Sequence, residues 1–390
     1  MRLPTSTEPA GTSSTGLRLV DVDDDGDLDL FVAEGTASLD ARPNVLFIND
    51  GRGFFVDDSA ARLPQGHDAN STSADFADVD GDGDLDAIVA NVGPEQLLLN
   101  DGTGHFVDGS AQLPPVPDLF SDISSNVHFA DVTGDDCVDI LISNENPFDP
   151  DPAHGAQNRL LINDCEGTFS DETSARLPAA LDQTAAQLTG DIDRDGDLDV
   201  VVLNRGQERV LLNDGLGFFR DETSGRIPVT SDSTRSGALA DLDADGSLDL
   251  VTSNSRGQPP RLFLNLNGIF VEREFPYVEA ADETDTSLEL VDLNGDGYPD
   301  IYMANAGKFD SGHGFEGGPD HFFENHDGHF VEATARHANF PAEQASTAAA
   351  FGDLDRDGDL DLVVAGTGEG DVGRERVFIQ SGPKQPVRAR

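Results

Sequence analysis

The chain has 390 residues, of which 75 are Asp or Glu and 24 are Lys or Arg, giving a formal net charge of −51. That balance excludes nucleic acid and anionic membrane surfaces as partners, because both carry the same sign of charge. No stretch is long and apolar enough for a transmembrane helix, and the length suffices for a large buried core.

Residues 1–16 are polar and lack an apolar h-region, so no signal peptide is visible. The first predicted element is an acidic loop with Asp21, Asp23, Asp25, Gly26 and Asp29, running into an apolar stretch at 28–32. A phrase from Asn44 follows, Asn-Val-Leu-Phe-Ile-Asn-Asp-Gly-Arg-Gly-Phe-Phe-Val-Asp. It reads as strand, Asn-Asp-Gly turn, strand. A short strand holding Asp75-Phe-Ala leads into the second loop (Asp78, Asp80, Asp82, Gly83, Asp86), the run 85–89 and a second hairpin phrase from Gln96. The third loop follows His128-Phe-Ala and is degraded. Asp131, Thr133, Asp135 and Asp139 remain, but Asp136 replaces the glycine and Cys137 takes the seventh position. Hairpin phrases recur from Arg159 and Arg209, on either side of the fourth loop (Asp191, Asp193, Asp195, Gly196, Asp199). The fifth loop has Asp241, Asp243, Asp245, Gly246 and Asp249, and the sixth has Asp292, Asn294, Asp296, Gly297 and Asp300. The seventh (Asp353, Asp355, Asp357, Gly358, Asp361) runs into 360–364 and ends on Arg376-Val-Phe-Ile-Gln, with no recognisable fourth strand.

Carboxylates at loop positions 1, 3, 5 and 9 with glycine at position 6 suit a hard cation that takes six to eight oxygens. Glycine there allows a backbone bend that side chains resist. Each close pair of carboxylates would repel by up to ~4 kcal/mol at an effective dielectric near 20. A cation removes that cost, so about six Ca²⁺ ions are expected, one for each complete loop. Position 12 is Val32 in the first loop and Val89 in the second, not the bidentate Glu of an EF-hand. Each loop therefore joins two strands.

The loops start 57, 53, 60, 50, 51 and 61 residues apart, the mark of a repeat architecture. With one strand before each loop, one after it and a hairpin, every repeat holds four strands. The fold expected is all-β, a seven-bladed β-propeller of four-stranded antiparallel blades, with residues 1–390 as one domain. The residues before the loops are often small (Ala77, Ala130, Gly190, Ala240, Gly352), as a crowded axis requires. These motifs resemble the FG-GAP/VCBS repeat family, whose relatives include the integrin α-subunit propellers, over roughly 14 to 380. The resemblance implies that the calcium loops share one face. The segments between strands 2 and 3 then lie on the opposite face, where relatives carry ligands.

Cys137 and Cys165 are placed at the start of strand 2 and just past strand 3 of the third blade. Antiparallel neighbours would bring them within disulfide reach, ~7 Å between Cα atoms. A disulfide would fit an oxidising compartment. Together with the calcium sites it leads to an extracellular or periplasmic location, with a leader removed from the chain. Two segments between strands 2 and 3 are long, 144–158 and 305–321, and Phe148, His154, Phe309, His313 and Phe315 are the contact candidates. His313 and His321 could ligate a transition metal, although a solvated loop explains them better. The letters of a dinucleotide fingerprint at 312–317 open no helix and are set aside. No catalytic residue is assigned. The chain reads as a binding propeller for a protein or a glycan, or a subunit of a larger assembly. A polysaccharide-lyase-like enzyme and a structural filament or surface protein stay open. The seventh blade, with three strands, would expose an edge that invites pairing.

Overall fold

In the computed structural model, residues 13–35, 41–66, 68–116, 123–145, 155–277, 284–310, 314–315, 317–336, 345–367 and 376–380 are described. Their strands fall into seven consecutive antiparallel units. Blade 1 comprises Ser13–Val20, Asp29–Gly35, Val45–Asn49 and Phe55–Asp57. Blade 2 comprises Ser71–Ala77, Asp86–Asn91, Gln96–Asn100 and Phe106–Asp108. Ser124–Ala130, Asp139–Asn144, Arg159–Asn163 and Phe169–Asp171 make blade 3. Blade 4 has Thr184–Gly190, Asp199–Gly206, Arg209–Leu212 and Arg220–Asp221. Blade 5 has Asp232–Ala240, Asp249–Asn254, Arg261–Asn265 and Phe270–Arg273. In blade 6 the strands are Asp285–Val291, Asp300–Asn305, His321–His326 and His329–Glu332. Ala345–Gly352, Asp361–Thr367 and Arg376–Phe378 form blade 7.

The first strand of each blade packs on the first strand of the next, and that of blade 7 packs on that of blade 1, so the inner strands close a ring. The second strands are buried along both faces in blades 1 to 3. This explains their unbroken apolar runs, since each is covered by a neighbouring blade on either side. The core is accordingly divided into clusters between blades. Leu17, Leu30 and Phe47 of blade 1 meet Val363, Ala365 and Val377 of blade 7 in one. Tyr302 and Phe322 of blade 6 meet Leu362 and Val364 in another. Tyr302 is fully buried, and its hydroxyl donates to Asp320 Oδ2 at 2.7 Å.

Each second strand begins at the position-9 Asp, one residue later than the apolar runs indicate. Cys137 consequently lies in the loop, two residues before Asp139, and not in strand 2 as expected. Blade 7 shows three strands among the described residues, and Arg376–Phe378 pairs there with Asp361–Thr367 alone. The segment 305–321 is not a plain loop. Phe309–Asp310 pairs with Gly314–Phe315, so Phe309 stands opposite Phe315. Phe148, His154 and His313 lie outside the described residues.

Candidate metal centres and the axial cavity

One hydrogen-bond scheme builds all seven acidic loops. The position-1 carboxylate accepts the position-6 N–H, from Gly26 to Asp21 at 2.8 Å and from Gly83 to Asp78 at 3.0 Å. The position-5 carboxylate accepts the position-7 N–H, as Asp84 N donates to Asp82 Oδ1 at 3.0 Å. The position-9 carboxylate bridges two chain segments. Asp86 accepts Val79 N at 3.2 Å on Oδ2 and Asn100 N at 2.8 Å on Oδ1. The same bonds recur for Asp29, Asp139, Asp199, Asp249, Asp300 and Asp361. This folding turns the acids inward. Ligand atoms of Asp21, Asp23 and Asp29 lie within 4.8 Å of one another, as do those of Asp78, Asp80 and Asp82. The trios Asp191, Asp193, Asp199 and Asp241, Asp243, Asp249 do the same.

The donor set passes a test of fit for a hard cation. All the donors are oxygen, and Asn294 keeps that character in the sixth loop. Asp23 Oδ1, Asp193 Oδ1 and Asp241 Oδ1 are buried with no hydrogen-bond partner, a costly state unless something positive faces them. Asp23 and Asp193 use their other oxygen on Arg62 (3.1 Å) and Arg226 (3.0 Å). Burial pushes the position-9 carboxyls up, Asp29 to about 7 and Asp86, Asp139, Asp199, Asp249, Asp300 and Asp361 to about 6. Their N–H partners work against that rise, and neighbouring acids add to it where they stand close.

The third loop keeps the fold of the others without the glycine. Asp136 has φ of 68°, in the left-handed region where Gly83 has 98°. Its Cys137 is bonded to Cys165 with Cα atoms 5.4 Å apart. Blades 1, 2 and 4 explain why the pair sits there. A Cβ on Gly51, Gly102 or Gly215 would meet Asp27, Asp84 or Asp197 at 2.5–2.6 Å. Position 7 thus touches the hairpin turn in those blades, and blade 3 replaces that Asp/Gly contact with a covalent bond. The bond also withdraws both sulfurs from metal ligation.

Sequence reasoning missed a second function of the Asn at the end of the third strand in each of the first six blades, which opens the hairpin turn. The Asn100 side chain donates to Leu85 O in its own blade at 3.2 Å and to Val22 O in the preceding blade at 2.8 Å. Asn163, Asn213, Asn265 and Asn325 reach back to Val79, Val132, Ile192 and Leu242, and Asn49 reaches Leu354 across the ring closure. Arg194 and Arg356 add ties to the next loop, at Asp245 Oδ1 (3.3 Å) and Asp25 O (2.8 Å). The acidic loops are therefore linked to one another around the face.

A cavity of about 630 Å³ runs along the axis between the inner strands. His128 and Thr189 line it, with His128 Nε2 2.9 Å from Thr189 Oγ1 and Nδ1 3.0 Å from Asp75 Oδ2. Asp75 is held below the usual carboxylate range, despite its burial, by His128, the Arg18 charge 3.7 Å away and the N–H of Phe129. Glu289, also on the wall, is pushed up to about 7 by burial. The sequence reads Asp75 and His128 as parts of the short strands before their loops, but nothing there announces that these side chains gather at a cavity. His321, by contrast, is engaged by Asn305 Nδ2 at 3.2 Å and by the Tyr277 ring at 5.3 Å.

The FG-GAP-like repeat matches this sequence at 21–89, 78–142, 191–252, 241–303 and 292–364, more than half of its length. The chain belongs to the FG-GAP-like repeat family. Among curated proteins none matches it. BBS1N, crystallised in complex with ARL6DN, is similar in structure, with a TM-score of 0.57 and 11% identity over 96% of each chain. The rhamnogalacturonan lyase PL11 of Bacillus licheniformis gives a TM-score of 0.50 and 11% identity over 96% of this chain and 74% of that one. YCF48 from Cyanidioschyzon merolae gives 0.52 and 11%, over 95% of this chain and 97% of that one. At these identities the likeness is one of fold, and it agrees with the propeller of FG-GAP repeats.

Proposed function

We propose that this FG-GAP propeller is a calcium-stabilised binding module that works outside the cytoplasm and recognises a protein or a glycan through the face opposite its acidic loops. The observation that carries this reading is the unequal use of the two faces. One face is committed to inward-turned acids locked to each other by Asn and Arg. The other holds the ends of the second strands and the starts of the third, between which the sequence sets segments of variable length, the longest at 144–158 and 305–321. The disulfide supports an oxidising compartment. That BBS1N is found in complex with ARL6DN supports a protein partner for a fold of this kind.

Calcium would be held by the acids at positions 1, 3, 5 and 9 of the six complete loops, where it would cancel their repulsion and fix each loop. The test of the binding face is a pair of proteins, wild type and one with both long segments shortened to the length in blade 4. A glycan array and a panel of extracellular proteins should yield a ligand that only the wild type holds, at equal calcium content. Undiminished binding by the shortened protein would move the interface elsewhere.

A second reading has one specific observation behind it. His128, held between Asp75 and the Thr189 hydroxyl on the cavity wall, has the geometry of an oriented general base. Turnover of a polysaccharide that disappears in His128→Ala would establish an enzyme in place of a binding module.

A further inference from the structure

Every inner strand described at its start carries a one-residue bulge. In blades 2 to 7 the extra residue is Thr72, Ser125, Ala185, Arg235, Thr286 and Thr347. A bulge frees its residue from the ladder and re-aims the side chain. Thr72, Ser125 and Thr286 use this freedom to tie blades together. Their hydroxyls donate to Ser124 O, Thr184 O and Ser346 O of the next blade at 2.6, 2.6 and 2.8 Å. Arg235 breaks the series with a long cation. It projects into the axial cavity, and among the described residues its guanidinium has neither a hydrogen bond nor an ion pair.

Two further arginines stand near enough for their charges to act on Arg235. Arg205 pairs with Ser233 across the junction of blades 4 and 5, two residues before Arg235. Arg256 follows Ser255, whose N–H donates to Ser233 O at 2.9 Å. Arg256 is exposed and likewise unpaired among the described residues. Glu145 meets Arg205 at 2.8 Å, but Arg205 Nε stays buried without a partner. Asp232 is taken by Arg261 at 2.7 Å. In a chain of net charge −51, this local excess of positive charge among the described residues stands apart. Arg235 is exposed at the mouth, yet crowding by the surrounding protein, reinforced by the Arg205 charge, lowers it to about 10. A bound anion would reverse that.

Ser236 follows Arg235 in its own strand, and Ser287 of blade 6 and Asn126 of blade 3 line the same cavity; each keeps further hydrogen-bonding capacity beside one bond it already makes, to Leu288 N, Glu289 and Ser73 respectively. Such a lining suits a polyhydroxylated ring better than a peptide side chain. The volume also falls in the range of small-ligand pockets, about 300–1,000 Å³. We infer that the mouth of the axial cavity at blades 4 and 5 binds the terminal sugar acid of an anionic glycan. Arg235 and Arg256 take the carboxylate, and Asn126, Ser236 and Ser287 take ring hydroxyls. Guanidinium suits this task because its planar fork can meet both carboxylate oxygens. The inference rests on the reading of this face as the binding face, and it names the ligand class.

The test is calorimetric titration of the full chain, in excess calcium, with galacturonate, glucuronate and mannuronate oligomers, a neutral galactose oligomer and a polyglutamate peptide. At least one uronate oligomer is expected to bind, with the neutral sugar and the peptide at least tenfold weaker. Arg235→Thr installs the residue found in blade 2, so the variant should fold and melt no lower than wild type. It should lose tenfold or more in uronate affinity, and adding Arg256→Ala should weaken binding further. Arg220→Ala, on the exposed outer strand of blade 4, should leave uronate affinity unchanged. Binding by no uronate, equal binding of the neutral oligomer, preference for the peptide, or full affinity in Arg235→Thr would each overturn the inference. A neutral glycan that binds and is lost on shortening the long segments would leave the broader function standing while refuting this site.

Discussion

Asn213 donates its side-chain amide to Val132 O of blade 3 and Leu198 O of its own blade, while its Oδ1 accepts the N–H groups of Asp214 and Gly217. Asn213→Ala leaves several buried groups without partners, at ~1–3 kcal/mol each. A loss of about 3 kcal/mol is expected in urea unfolding, whereas an exposed turn residue such as Asp214 should cost under about 1 kcal/mol when replaced by Asn. The sequence showed Asn-Asp-Gly as a turn, because turn chemistry is local. The reach to the neighbouring blade became visible only with the two chains of the interface side by side. The acids of the loops were legible by spacing, but not the division of labour among them. Position 9 braces the chain with both oxygens, and its raised pKa gives a sign. In chelator, the folded state holds protons on Asp29 up to about pH 7 and on its six counterparts up to about pH 6, whereas the unfolded chain releases them near 3.9. The stabilisation from these protons is complete below the unfolded value and is lost as pH rises to 6–7. Metal-free protein should therefore melt higher at pH 5 than at pH 7. With saturating calcium the order should invert, because protons then compete with the ion. A metal-free melting temperature that rises from pH 5 to pH 7 would refute this account of position 9. Among the loop acids, Asp82→Ala should remove one site, worth about 2.7 kcal/mol at a calcium level 100 times the dissociation constant. Asp135→Ala should cost much less, since the third loop lacks an acid at position 3.

The third blade isolates what one loop contributes. Its disulfide closes a separation of 28 residues, and such a bond is worth about 3 kcal/mol. Replacing both cysteines by Ser should cost about that much, measured by thermal unfolding at fixed calcium. Cys137→Asp with Cys165→Gly restores the contact of blades 1, 2 and 4. Adding Thr133→Asp and Asp136→Gly rebuilds a complete loop. This fourfold variant should bind one calcium more than wild type, and equal metal content would show that the loop fails for another reason. The elements themselves were largely legible. Acid loops and hairpins carry strong local signals, and the apolar runs gave the second strands to within a residue. The inner strands were harder, because one side faces the cavity and their polar residues follow no common pattern. Phe309–Asp310 and Gly314–Phe315 carry no alternation long enough to mark a ladder.

At the scale of the molecule, closure is a consequence of repetition. Each blade buries one side against the next, and the cluster joining blade 7 to blade 1 is built like the others. Period and composition made this ring readable from the sequence, and the FG-GAP-like repeats matched along the chain agree with it. The axial cavity was not readable, because it is assembled from residues more than 200 positions apart, such as Arg18 and Arg235. If calcium holds the loops, every blade is linked through its neighbours to the same ion-dependent face. Loss of the ions should then loosen the whole ring together. Calorimetric melting at pH 7.5, in 2 mM free calcium and again after removal of calcium with excess chelator, tests this most directly. Six sites at about 2.7 kcal/mol each predict a drop of tens of degrees on chelation, recovered when calcium returns. A melting temperature unchanged by chelator, with two or fewer calcium ions per chain after dialysis against calcium, would contradict it.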